Sequence, residues 1–165
     1  MEQLVKKYAA KLIQAGLGEG DGPHQPLVAG LDDTRVWNRD DAPEQPFLKR
    51  IFSGLNINSL VFLRPGPPYS HILRFLARDA LKSAGSIAPK DCETRTFLHD
   101  LPVISGFDPD QAVETLKKRK SVIVAVPGED PAVLAPGTVS PEQGFVTVSS
   151  VCFAGFVKFF TDYLD

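Results

Sequence analysis

The chain has 165 residues, 43% hydrophobic and 23% charged, with a formal net charge of -2. That length fits one domain spanning 1–165 with room for a substantial core, and the composition is ordinary for a soluble globular protein. The lack of a basic excess argues against nucleic acid as a partner, and no apolar run is expected to reach the length of a membrane span.

The opening Met1-Glu-Gln-Leu-Val-Lys-Lys has no apolar signal core, so a cytoplasmic address is expected. Leu4, Tyr8, Leu12 and Ile13 share one helical face, which predicts a helix over about 2–15, ended by Gly16. Two extended segments, 27–29 and 34–38, are joined by Gly-Leu-Asp-Asp and read as a hairpin or a bent strand. Pro43-Glu44 opens a second helix to about Phe52, with Phe47, Leu48, Ile51 and Phe52 on its buried face. A strand at 59–63 breaks at Pro65-Gly66, and a long helix runs from about Tyr69 to Ser83. A short strand at 101–104 precedes a helix started by Asp108-Pro109 that ends near Lys118. The run 121–126 is the strongest buried-strand signal. After the turn Pro-Gly-Glu-Asp-Pro, 132–135 and 145–148 are predicted to be extended, and 150–164 to be a closing helix. Alternating strands and helices without repeats predict a single α/β domain with helices covering a sheet.

Few residues carry chemistry. Gly16, Gly18, Gly20 and Gly22 mimic a dinucleotide loop, but a helix precedes them and Pro23 follows, the reverse of the order that fingerprint requires. His24, His71 and His99 lie in separate segments with no metal-like spacing. His71 shares a face with Arg74, Arg78 and Lys82, which reads first as a solvated basic stripe and second as an anion contact. Cys92 and Cys152 match no ligand spacing and read as reduced thiols, with a disulfide left open. Glu44 stands out among the carboxylates, although the dipole at the start of a helix also favours an acid there. Glu129-Asp130 follows the 121–126 strand where a site can form, and equally suits a solvated turn.

Taken in order, Ala42-Pro-Glu-Gln-Pro-Phe-Leu-Lys-Arg-Ile-Phe52, Asn56-Ile-Asn-Ser-Leu-Val61 and Pro67-Pro-Tyr-Ser70 resemble segments of the class II aldolase/adducin family. The later Leu-Pro-Val-Ile strand and Ser121-Val-Ile-Val-Ala-Val-Pro-Gly128 are similar to it as well. The resemblance covers most of the chain and rests on order and spacing. It implies a three-layer α/β/α fold, with a mixed or mainly antiparallel sheet between helices. The family's His-x-His would fall within Phe62–Gly66 and its third histidine on Pro127, so the resemblance is to a degenerate member with no metal ligands. Only Glu44 matches the catalytic acid/base by position. Without a zinc Lewis acid, a base alone has nothing to stabilise an enediolate.

The resulting expectation is a metal-free, catalytically degenerate domain acting in binding or assembly, without a cofactor. The alternative is a metal-independent lyase or isomerase acting on a small sugar-phosphate-like anion. In it Glu44 serves as base, and Arg64, with Tyr69 and His71, contacts the substrate. Arg64 can equally form a salt bridge that fills the vacated position. The resemblance further implies a homotetramer. The last helix offers Val151, Phe153, Phe156, Val157, Phe159, Phe160 and Tyr163, more apolar surface than one buried face requires.

Overall fold

The apolar runs read as strands assemble into one seven-stranded sheet in the computed structural model, which describes residues 1–164. The elements are α1 (Glu2–Gln14), a 3-10 turn (Gly22–His24), β1 (Leu27–Leu31), β2 (Arg35–Trp37), α2 (Gln45–Gly54), β3 (Ser59–Leu63) and α3 (Tyr69–Leu81). They continue with β4 (Ser86–Ile87), α4 (Cys92–Phe97), β5 (Leu101–Ser105), α5 (Pro109–Leu116), β6 (Val122–Ala125), β7 (Ala132–Gly137) and α6 (Pro141–Leu164). The strand order is β2-β1-β3-β7-β6-β5-β4. Every neighbouring pair is antiparallel except β5 and β6, so the sheet is mixed as expected.

Both faces of the sheet are covered, and the two-residue period of each strand decides which side chain meets which helices. On β3, Val61 and Leu63 join the core formed with α1, α3 and α6. Leu60 and Phe62 join the opposite core, against Leu48, Ile51 and Phe52 of α2 and Ala112 and Leu116 of α5. The three-layer arrangement follows: a central strand with no polar face must be covered twice.

Two expectations are corrected. Residues 145–148 are not extended but lie within α6. Pro141 occupies the helix start, where its missing N–H is harmless. The Gln143 side chain accepts from Val139 N at 2.7 Å and Ser140 N at 3.3 Å. The neighbouring strand β7 is already paired on both edges, by β3 and β6, so a strand at 145–148 would have no partner there. The second correction concerns apolar length. By length and composition α6 could cross a membrane, and 39% of its most apolar 18-residue stretch is buried within this fold. The helix is apolar on two faces: one packs on the sheet, the other faces solvent. The sequence reading also passed over β4 and α4, which are only two and six residues long.

Gly144 and Gly155 let α6 sit this close. A Cβ on Gly144 would lie 2.6 Å from Val61 Cγ2 and 2.8 Å from the Ala135 carbonyl oxygen, and one on Gly155 would lie 2.9 Å from Leu73 Cδ2. Cys152, on the same buried face, has its thiol pushed up from 9.0 to about 12 by burial, while Cys92 is exposed; both are free thiols.

Gly144→Ala must displace β7 backbone. We expect a net cost of about 1–3 kcal/mol and a fall in Tm of roughly 3–10 °C, despite alanine's better helix propensity. Gly20→Ala, where a Cβ meets nothing within 4 Å, should leave Tm unchanged in the same calorimetric scan. A thiol reagent at neutral pH should modify Cys92 alone, with Cys152 reacting only in denaturant. Below pH 9 the Cys152 proton is held in both the folded and unfolded chain. Above it the unfolded chain releases the proton first, so this thiol's contribution to stability is lost as pH rises from about 9 towards 12. A Cys152→Ala chain should lack that part of the alkaline slope.

Candidate functional site

Because β7 lies antiparallel between β3 and β6, and β5 runs parallel to β6, the carboxyl ends of β3, β5 and β6 share one edge of the sheet. The amino end of β1 comes to the same edge. Ligand sites in open α/β sheets form at such carboxyl ends. Here the loops bring together Arg64 after β3, Phe107 after β5 and Glu129-Asp130 after β6. His24 arrives from the 3-10 turn before β1, and Glu44 from the start of α2.

Arg64 is the centre of this group. Its Nη1 donates to Glu44 Oε1, its Nη2 lies 3.8 Å from Glu129 Oε2, and its guanidinium carbon sits 5.5 Å from the Phe62 ring centroid and 5.4 Å from that of Phe107. The Arg64 and Glu44 side chains are 16% and 13% exposed, so the pair is largely withdrawn from water, whereas the Glu129 side chain is 56% exposed. The two neighbouring rings and the largely withdrawn Glu44 carboxylate are better placed to stabilise the cation than the exposed Glu129, since an ion pair in water contributes little. Glu44 forms the cap position of α2 without capping it through its side chain, which is directed to Arg64 instead.

A second pairing is joined to the first through the backbone. His24 Nδ1 lies 2.9 Å from the Arg64 carbonyl oxygen; a carbonyl only accepts, so Nδ1 carries the proton. His24 Nε2 then faces Asp130 Oδ2 at 3.7 Å, and Asp130 accepts from Arg74 on α3. The 63–66 loop is held from below by Gly66 N donating to the Leu17 carbonyl at 2.8 Å. Beside the network a cavity of about 290 Å³ opens between α3 and the β6–β7 turn, lined by Arg74, Arg78, Leu81, Pro127 and Glu129 among others. A larger cavity, about 640 Å³, opens near Leu55, Phe97 and Pro136, around the amino ends of β3 and β6, and shares no residue with the network.

Of the residues singled out from sequence, Glu44 and Arg64 are in contact. Tyr69 is half-buried and packs its ring against the core of α1, α3 and α6, and His71 is exposed on α3; neither joins the ion network among the described residues. His24, Arg74 and Phe107 were not foreseen in it. Glu129-Asp130 carried the one usable signal, its position after a buried strand. Arg74 was legible only as part of a basic stripe, because Asp130 is far away in sequence.

The residues present do not fit a catalytic zinc. Phe62, Leu63, Pro65, Gly66 and Pro127 offer no side-chain donor, and Arg64 is a cation. Among the described residues no three His, Cys, Asp or Glu side chains gather to hold a metal ion.

No family model matches the sequence, and no curated protein matches it. Among solved structures the chain is similar to the crystal structure of L-fuculose-1-phosphate aldolase from Thermus thermophilus. The TM-score is 0.74, the match covers 98% of this chain and 95% of that one, and the sequence identity is 11%. The likeness is one of fold: this chain has a class II aldolase-like architecture.

Removing Arg64 strands the withdrawn Glu44 carboxylate. Arg64→Ala should lower stability by about 2 kcal/mol, or roughly 4–8 °C in Tm, in anion-free buffer. Glu44→Gln should cost less, about 1 kcal/mol, because Arg64 keeps both rings and Glu129. The double variant should fall short of the sum, with a coupling of about 1 kcal/mol measurable by chemical denaturation.

Proposed function

We propose that this chain is a class II aldolase-like domain that acts in binding or assembly, with the family's metal position given over to an internal ion pair. The observation that carries the reading is the engagement of Arg64. Its positive charge, at the carboxyl end of β3, is met by Glu44 and Glu129 and by the faces of Phe62 and Phe107. Glu44, the one residue that matches the family's acid/base by position, is held as an ion-pair partner. Self-association accompanies this reading, as a homotetramer by the family resemblance, because interfaces continue to stabilise a fold after catalysis is lost.

The enzyme alternative requires Arg64 to exchange Glu44 for an anionic substrate, with Glu44 then released as base and Tyr69 and His71 nearby. Melting the protein against phosphate, with sodium chloride at matched ionic strength, separates the two. We expect no phosphate-specific stabilisation in the wild type or in Arg64→Ala, no stoichiometric zinc after mild purification, and no cleavage of sugar 1-phosphates with or without added zinc. Phosphate stabilisation that Arg64→Ala abolishes, together with aldol cleavage that Glu44→Gln eliminates, would establish the enzyme instead.

A further inference from the structure

The solvent face of α6 carries an apolar stripe that the sheet does not use. Val146, Phe153, Phe156, Phe160 and Tyr163 are 45%, 55%, 39%, 42% and 77% exposed. With Ser149 they recur at successive intervals of three, four, three, four and three residues. That alternation is the a/d spacing of a helix–helix seam, and it lies on the side of α6 away from Val148, Val151 and Cys152 in the core.

The seam is graded in size along its length. Its carboxyl half is bulky: the Phe156 and Phe160 rings pack at 4.6 Å between centroids, and Tyr163 stacks on Phe159 at 6.5 Å. Its amino half is hollow. Val146, Ser149, Ser150 and Phe153 there face Thr94 and Phe97 of α4 across a groove of about 410 Å³.

We propose that α6 pairs with α6 of a second copy of this chain, antiparallel about a two-fold axis, so that Phe160 and Tyr163 of each copy seat in the α4–α6 groove of the other. One register satisfies the whole seam: Val146 opposite the partner's Tyr163, Ser149 opposite the partner's Phe160, and Phe153 opposite the partner's Phe156. Every a position then meets a d position; towards both ends of the seam a large side chain meets a small one, and at its centre Phe153 and Phe156 of the two copies meet ring to ring. A parallel pair would stack ring on ring at one end and leave serine facing serine at the other, which interior packing density does not tolerate. The contact is isologous and closes on itself. Scaled by their exposure, four rings at about 200 Å² each, with Val146 and Leu164, offer on the order of 550 Å² per copy. A pair would bury roughly 1,100 Å², at the low end for a specific interface. An anionic membrane surface suits this face less well, because Asp91 and Glu93 rim the groove.

This inference goes beyond the reading of the ion-paired edge and does not involve Arg64. The test uses the full chain in a Cys92→Ser background. Mixing Ser149→Cys chains with Phe160→Cys chains under mild oxidation should trap a mixed disulfide dimer, and neither chain alone should cross-link. Phe160→Glu should weaken self-association at least ~10-fold by sedimentation while leaving the far-UV spectrum unchanged. Cross-linking of Ser149→Cys alone would make the pair parallel and overturn the proposal. A wild-type mass that Phe160→Glu leaves unaltered would overturn the seam but keep assembly through another face, whereas a monomeric wild type would overturn both. Binding to phosphatidylserine vesicles that Phe160→Glu abolishes, without dimer formation, would assign the face to a membrane instead.

Discussion

The arrangement of this protein depends on β7 lying antiparallel between β3 and β6. Those strands are buried on both faces, and every backbone N–H and C=O within them must find a partner inside the sheet. Ser59–Leu63 and Val122–Val124 each pair along one edge with Ala132–Gly137, their other edges being met by β1 and β5 respectively. That one pairing points β3 and β6 the same way, and so delivers Arg64 and Glu129-Asp130 to a common edge from positions far apart in the chain. α6 follows directly after β7 and folds back over it, with Gly144 leaving room for Val61 and the Ala135 carbonyl.

At that edge, charge is balanced within the fold. Arg64 and Glu44 are both mostly withdrawn from water, a placement costly for either alone and acceptable for the pair. Each remaining member ties one loop to another: His24 ties the 3-10 turn to the backbone of Arg64, and Arg74 ties α3 to the β6–β7 turn. The network therefore has a structural role whatever else it does, locking five chain segments at the place where this architecture usually keeps its chemistry.

The backbone follows that of a solved aldolase over nearly its whole length, while Phe62–Gly66 and Pro127 carry apolar, cationic or proline residues. A fold specifies where a site can be, and the residues at that place specify what it can do. Similarity at 11% identity carries the first statement and not the second. The two faces of α6 show a related division: one set of side chains is committed to the core, and the other remains free to face a partner.

The sequence by itself determined the main elements and their layering, because periodicity is a local property. The continuous apolar run in 59–63 and the helical spacing of Leu48, Ile51 and Phe52 can be read without knowing what lies opposite. It also determined that no residue of 62–66 and no side chain at Pro127 is of a type that ordinarily binds a metal. Local pattern misled at 145–148, where apolar alternation resembled a strand. What decided it was that β7 had no free edge and that Gly144, Thr147, Val148 and Val151 found a surface to pack on. Only the tertiary structure paired Arg64 with Glu44, gave His24 and Arg74 a shared carboxylate in Asp130, and separated Tyr69 and His71 from the network. Those pairings join residues that are 20, 56 and 106 positions apart, from Arg64–Glu44, Arg74–Asp130 and His24–Asp130 respectively. Which charge meets which is set by the order of strands in the sheet, and strand order is not a local property of the sequence.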